Sequence, residues 1–351
     1  MNPNISSVQS ILVIKPRAAG DVVLSTPVLR NLRGAFPSAM IDFLTERPFA
    51  DLVRGHPDVH SVLVYDRARM SGLDLIREVR RRRYEMVIDL FGNPRTALVT
   101  FLSGARERIG YRFRGRQYAY NTRVEPRGAT VHNAQFNLDA VEALGIPIVD
   151  RSPVVPFTRA DEGYVDGFLS GLARSSGPLV GVNSAGGWYT KRWGMQRFAQ
   201  LCDRLIAEHG CSVVLTWGPG EQEQVESIRG AMHETPFIPP PTSFPQLAAL
   251  LNRCDFVISN DTGPMHIAAA VGTPVLGIYG PTNPTLQGPY GEGHRTVRNE
   301  SLTCLGCNLT SCPIGLPCME ELSVPTVLSA FLRLREAHGH AEGTGKSGPP
   351  R

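Results

Sequence analysis

The sequence predicts an α/β protein of two domains, each a parallel sheet covered by helices. Three observations carry this. Short apolar runs alternate with segments of helical periodicity along the chain, the pattern of parallel strands joined by crossover helices. The 351 residues are too many for one core of usual size and suit two domains of about 150 residues each. Small and ionisable residues gather directly after the apolar runs, where open parallel sheets carry their functional loops.

The first apolar run, Ile11 to Ile14, has the unbroken hydrophobicity of a strand buried on both faces. KPRAAGDVVLSTPVLRNL follows, read as a small-residue loop and a helix with Val28, Leu29 and Leu32 on its apolar face. Further strands are expected at 40–44, 61–65, 86–90 and 107–111, with helices at Leu73–Arg83 and Pro94–Ser103, and His132–Leu144 closing the domain. GIPIVDRSPVVPF is rich in Pro and lacks helical periodicity, so the boundary falls between 146 and 160, giving domains 1–155 and 156–338. In the second domain strands are expected at 179–183, 212–217, 236–238, 256–259 and 275–279. A helical segment spans Pro245 to Cys254, another opens near Thr262 and runs through Met265 to Val271, and the last is Val324–Ala337. Residues 339–351, rich in Gly, His and Pro, read as a disordered tail.

Apolar residues make up 42% of the chain, enough for a sizeable interior. No apolar run approaches the roughly 18 residues of a membrane span, and the polar start MNPNISSVQS is not a secretion signal. The expected location is the cytoplasm, with contact to a membrane only from its surface. The net charge of +4 hides an asymmetry. Residues 1–150 hold 21 Lys and Arg against 15 Asp and Glu, an excess of six, and the remainder 15 against 17. The excess concentrates in Arg77–Arg83 and in RERIGYRFRGR, Arg106 to Arg116. Such clusters attract polyanions or anionic membrane surfaces. Arg77–Arg83 also reads simply as the solvated face of a helix. In the second cluster Gly and aromatic residues interleave with Arg112, Arg114 and Arg116, as in a loop that contacts phosphate or carboxylate. No nucleic-acid recognition motif accompanies the charge.

The chemistry concentrates in Ser259–Pro274, SNDTGPMHIAAAVGTP, where a buried strand gives way to a helix. Unpaired amides of a helix's first turn attract phosphate at the positive end of the macrodipole. Gly263 lets a ligand approach the backbone, Pro264 suits the first turn, and His266 adds a side-chain donor. An ordinary strand-to-helix turn with Asp261 as N-cap is the plainer reading. Asp21, directly after Gly20, has two readings of the same kind: a helix cap, or a base. Each further candidate follows a strand: Ser184, Gly186, Gly187 and Lys191 after LVGVN, Gly218 and Glu221 after VVLTW, Tyr279, Gly280 and Thr282 after VLGI.

Three separated motifs, ILVIKPRAAGDVVLSTPVLRNLR near the N-terminus, SAGGWYTKRW at 184–193 and NDTGPMH at 260–266, resemble the lipopolysaccharide heptosyltransferases, glycosyltransferase family 9, over about residues 10–335. The resemblance implies the GT-B arrangement: two Rossmann-like domains with parallel sheets facing across a cleft, the first binding acceptor and the second the nucleotide sugar, with the last helix crossing back to the first domain. It implies inverting transfer of a heptose from ADP-heptose to a hydroxyl of the lipopolysaccharide inner core. Asp21 is then the general base, and Lys191 with the amides of Thr262 to Met265 stabilises the departing diphosphate. Asp261 contacts donor-sugar hydroxyls, Ser184 a phosphate, and Thr262, Gly263 and His266 surround the phosphates. Glu221 grips the ribose, with Glu223 as the other register, and Thr242 lies near the base. No Asp-x-Asp pair stands at a strand end to hold a divalent ion, so transfer is expected to need no cofactor.

Cys202, Cys211 and Cys254 read as scattered core residues. Cys304, Cys307, Cys312 and Cys318 are clustered in a Gly- and Pro-studded loop. Three readings stand: structural zinc or iron on four thiolates, free thiols packed in a loop, or disulfides. Four protein ligands leave no open coordination position, so the site would be structural. Two other functions remain in view: transfer of another nucleotide sugar or onto a protein, and a non-catalytic sugar-nucleotide-binding protein. KPRAAGD after the first strand, in place of G-x-G-x-x-G, sets a dinucleotide oxidoreductase aside.

Overall fold

The alternation of strands and helices resolves into two all-parallel sheets in the computed structural model, which describes residues 8–339. The chain divides into two units, Met1–Pro156 and Phe157–Arg351. The N-terminal start and the tail expected to be disordered lie outside the described residues, except that Gly339 closes the last helix.

In the first unit the chain runs β1 (Ser10–Ile14), α1 (Ala19–Val23), α2 (Pro27–Ala35), β2 (Met40–Glu46), β3 (Ser61–Tyr65), α3 (Gly72–Arg81), β4 (Met86–Asp89), α4 (Pro94–Leu102), β5 (Glu107–Tyr111), β6 (Thr122–Val124) and α5 (Asn133–Glu142). The sheet order is β3-β2-β1-β4-β5-β6. β1 is central because all four residues of Ile11–Ile14 are buried, and it pairs in parallel with β2 and β4. Leu75 and Val79 of α3 and Val99 of α4 pack with Leu12, Ile14 and Val87 on one face of this sheet. One helix was expected after β1; two form. Pro27 removes an amide that a continuing helix would need, and Ser25 and Thr26 turn their hydroxyls back onto the carbonyls of Val22 and Val23.

Two buried groups of this unit give tests of the fold. A Cβ on Gly110 would lie 2.4 Å from the ring of Tyr120, whose hydroxyl donates to the buried Asp89 at 2.8 Å. Burial pushes the Asp89 carboxyl up, against the pull of the Gly92 and Phe91 amides that donate to it. Gly110→Ala is therefore expected to displace a packed aromatic ring and cost about 1–3 kcal/mol of stability, measurable by denaturant unfolding. His56 is buried and accepts at Nδ1 from the Asp58 amide at 3.2 Å. Burial, with Arg30 adding to it, pushes its pKa down to about 4. The unfolded chain takes that proton near pH 6.5, so stability is full above about 6.5 and is lost as the pH falls toward 4, by up to about 3 kcal/mol. Unfolding free energies measured at neutral and acid pH should show this slope, and His56→Asn should remove its contribution.

The second unit runs α6 (Arg159–Ser170), β7 (Leu179–Asn183), α7 (Met195–Ala207), β8 (Ser212–Thr216), α8 (Gln222–Ala231), α9 (Phe244–Arg253), β9 (Phe256–Asn260), α10 (Gly263–Ala270), β10 (Val275–Ile278), α11 (Pro284–Gln287), β11 (Arg295–Val297), α12 (Pro317–Glu320) and α13 (Val324–Gly339). Its sheet order is β11-β10-β9-β7-β8. Since all strands are parallel, their carboxyl ends share one edge. The strand expected at 236–238 is a single bridge, Phe237 to Val214. Pro236 and Pro239 on either side supply no amide, so the ladder stops after one residue. The edge strands β6 and β11, three residues each, were not anticipated. The last helix, expected to cross to the first domain, belongs to the second unit and packs on α7, β10 and β11. Its buried Val327, Phe331 and Leu334 join that unit's core.

Candidate active site

In the second unit the polar candidates meet where β7, β8, β9 and β10 end. β7 and β9 are adjacent, and each ends its apolar run in an asparagine, Asn183 and Asn260. Asn260 donates from Nδ2 to the carbonyls of Ser184 (2.8 Å) and Ala185 (3.1 Å), and its Oδ1 is buried without a hydrogen-bond partner among the described residues. Asn183 donates to Thr216 of β8 and accepts from the Thr262 hydroxyl at 3.2 Å. Gln224 of α8 donates to Ser184, to its carbonyl at 3.0 Å and its hydroxyl at 3.2 Å. Side-chain amides thus hold the Ser184 loop in place. Sequence reasoning missed all three, although an Asn closing two neighbouring apolar runs was a visible signal.

Asp261 is not an N-cap. That position belongs to Thr262, whose hydroxyl makes no capping bond. The Asp261 carboxylate, 5% exposed, receives Lys191 Nζ at 2.7 Å and the Thr282 hydroxyl at 2.7 Å on the same oxygen. Lys191 closes the turn Tyr189–Lys191, is 15% exposed, and its ammonium stands 4.6 Å from the centre of the Trp188 ring. Residues 191, 261 and 282, on three separate loops, thereby form one charged cluster at the N-terminus of α10. The first-turn amides of that helix have no partner within the helix, and Pro264 contributes none. Met265 is wholly buried and accepts from Tyr279 at its sulfur, so only its amide can serve a ligand. His266 is buried in the same turn.

The remaining candidates occupy the same edge. A Cβ on Gly187 would meet nothing within 4 Å, whereas one on Gly186 would come within 2.9 Å of Arg192, which donates to the Gly186 carbonyl. Glu221 opens α8 and accepts from the Gly218 amide at 2.8 Å, while Glu223 points to solvent. Thr242 is half-buried just before Ser243, the N-cap of α9.

The Cys-rich loop braces this cluster from behind. Amides of Gly306 and Asn308 donate to the carbonyls of Gly280 and Pro281, next to Thr282, and Thr190, next to Lys191, donates to Leu309. Cys318 and Met319 pack where a Cβ on Gly280 would be, at 2.7 and 2.8 Å. Among the described residues no group of three or more Cys, His, Asp or Glu side chains is placed to hold a metal ion. Cys304 and Cys307 are exposed, Cys312 accepts from the Leu316 amide, and Cys318 is drawn into the core, its thiol pushed up to about 11 by burial and then by the other three. All four are free thiols in this structure.

In the first unit Asp21 is the third residue of α1, and its carboxylate accepts from the Ala18 amide at 3.1 Å. It is half-buried at the carboxyl edge of the sheet. Lys15, at the end of β1, is buried and donates to the Leu90 carbonyl and Asn137 at 3.1 Å each. Burial pushes its pKa down, and the charges of Asp21 and Asp89 oppose that shift. Arg112 and Arg114 follow β5 and are exposed, Arg112 pairing with Glu125; Arg116 lies over the ring of Phe113.

The chain matches the family described as Glycosyltransferase family 9 (heptosyltransferase) over residues 73–316. It is 27% identical to lipopolysaccharide heptosyltransferase 1 of Pseudomonas aeruginosa, over 86% of this chain and 87% of that one. The crystal structure of a family 9 glycosyl transferase from Veillonella parvula superposes with a TM-score of 0.81 at 25% identity, over 94% of this chain and 97% of that chain. The ADP-heptose lipopolysaccharide heptosyltransferase II of E. coli shares the fold with a TM-score of 0.76 at 22% identity, over 94% and 100%. The expected fold class, two α/β units on parallel sheets as in the GT-B enzymes, is that of these structures. With the match spanning both units and the ionisable cluster intact at the strand ends, the chain belongs to glycosyltransferase family 9, the heptosyltransferases.

Proposed function

We propose that the chain is an inverting transferase that moves a heptose from ADP-heptose to a hydroxyl of the lipopolysaccharide inner core. The observation that carries this reading is the cluster of Lys191, Asp261 and Thr282 against the N-terminus of α10. A cation and unpaired amides side by side suit a diphosphate, and a carboxylate beside them suits sugar hydroxyls. Two of these relatives are named heptosyltransferases, and one of the two names ADP-heptose.

In this reading the acceptor hydroxyl attacks the anomeric carbon from the side opposite the diphosphate. Asp21 takes the proton. The bond from the anomeric carbon to the diphosphate oxygen breaks, the electron pair leaving with ADP, and Lys191 with the amides of Gly263 and Met265 stabilises the charge. Ser184, Thr262 and His266 surround the phosphates, the open space at Gly187 lets them approach the backbone, Glu221 takes the ribose hydroxyls, and Thr242 lies by the base. Arg112, Arg114 and Arg116 meet the anionic acceptor. The reaction takes place in the cytoplasm at the inner membrane, where a lipid-anchored acceptor is found.

Product analysis with ADP-heptose and a truncated core lipid tests the proposal: an inverted heptosyl linkage is expected, and turnover with a GDP or UDP sugar but not with ADP-heptose would overturn it. Thermal shifts with the same nucleotides give an independent reading, since a bound ligand stabilises the fold. With cation and helix amides assigned to the diphosphate, activity should persist in excess chelator. Abolition by chelator, reversed by a divalent ion, would remove that assignment.

A further inference from the structure

We propose that the outer face of α3, α4 and the turn Gln117–Ala119 is a docking surface for an anionic phospholipid bilayer. Single exposed apolar side chains are ordinary on a protein surface. Here they are grouped. Of the six large exposed hydrophobic side chains described in the first unit, four lie on these three elements: Leu73 (64% exposed) on α3, Leu98 (50%) and Phe101 (55%) on α4, and Tyr118 (70%) on the turn.

The three elements are neighbours. α3 packs on α4 and α4 on the turn, and both helices cover the same face of the sheet through Leu75, Val79 and Val99. Their inner sides are therefore committed to the core and their outer sides are not. Along α4 the exposed positions Pro94, Arg95, Leu98 and Phe101 recur at three- and four-residue spacing, a stripe on one side of the helix. Along α3, Leu73, Arg77, Arg80 and Arg81 do the same.

Charge selects the occupant. Asp74 and Glu78 neutralise Arg77 (3.1 Å) and Arg81 (2.9 Å), while Arg80 and Arg83 are exposed with no ion pair among the described residues. Arg95, in the first turn of α4, lies over the Tyr65 ring at 5.6 Å, and Arg123 over Tyr118 at 5.9 Å. Leu and Phe that insert shallowly, a Tyr at headgroup depth and arginines around them are what an anionic interface selects. No helix among the described residues is long and apolar enough to cross a membrane, so the contact is peripheral.

The test uses the full chain and vesicles of phosphatidylcholine, with and without phosphatidylglycerol, and needs neither donor nor acceptor, so its outcome is separate from that of the proposed reaction. Sedimentation with the anionic vesicles only, weakened by salt, is expected. Leu98→Ser with Phe101→Ser should reduce partition about tenfold or more, and Arg80→Ser with Arg83→Ser roughly twentyfold, both with unchanged thermal midpoints. Equal recovery of the native chain with both vesicle types, or variants that sediment like the native chain, would overturn the proposal. So would a dimer in sedimentation velocity that Leu98→Ser with Phe101→Ser dissociates, which would assign the face to a second copy.

Discussion

Asp21→Asn is expected to lower kcat by a factor of 10²–10⁴, the usual worth of a positioned base, while leaving the fold and ADP affinity near those of the native chain. The structural basis for separating the two effects is specific. The Asp21 carboxylate accepts from the Ala18 amide at 3.1 Å in the first turn of α1. An asparagine carbonyl can accept the same bond, so the local cost should stay below about 1 kcal/mol. Removing the charge also takes away one of the two carboxylates that oppose the downward shift of the buried Lys15, but Asp89 and the bonds to Leu90 and Asn137 remain. Steady-state kinetics with a thermal melt and ADP titration would decide the matter. A folded variant retaining a tenth or more of native turnover would mean that Asp21 is only the helix residue its hydrogen bond makes it.

Lys191→Met carries the second large effect, and it divides into two parts. Losing a preorganised cation at the leaving group is expected to cost about 10²–10³ in kcat. Losing the partner of a carboxylate that is 5% exposed costs stability as well. A buried pair broken on one side costs about 3–5 kcal/mol; with Lys191 itself 15% exposed and Thr282 still donating to Asp261, a loss nearer 1–3 kcal/mol is expected. Adding Asp261→Asn removes the stranded charge, so the double variant should regain much of the stability and none of the turnover. The cycle separates the structural ion pair from the catalytic cation. Turnover returning with stability would place Lys191 outside the chemistry.

The cluster behind that prediction shows where sequence reading stops. Lys191, Asp261 and Thr282 were each visible as polar residues after apolar runs, because a parallel sheet has one chemically useful edge and its loops follow the strands. Their joint use of one carboxylate oxygen was not visible, since the residues are far apart in sequence and meet only through the β9–β7 and β9–β10 pairings. The N-cap reading of Asp261 failed for the same reason: capping is a local rule, and a lysine in a distant turn outbid it. The Cys-rich loop was legible as a cluster and not as an arrangement, because spacing says nothing about which thiol the core will claim; Cys318 went to the core against Gly280.

What the amino-acid order determined by itself is the set of elements apolar enough to declare themselves: the strands 61–65 and 179–183 have the bounds their apolar runs define. It also placed the ionisable residues at strand ends. Only the tertiary structure decided the edge strands β6 and β11, too short to carry a period, and the seating of α13 on its own unit. It alone paired Lys191 with Asp261. The physical reason is range. Periodicity, capping and turn chemistry act over a few residues, whereas sheet order and the pairing of buried charges are set by which distant segments can share one desolvated surface.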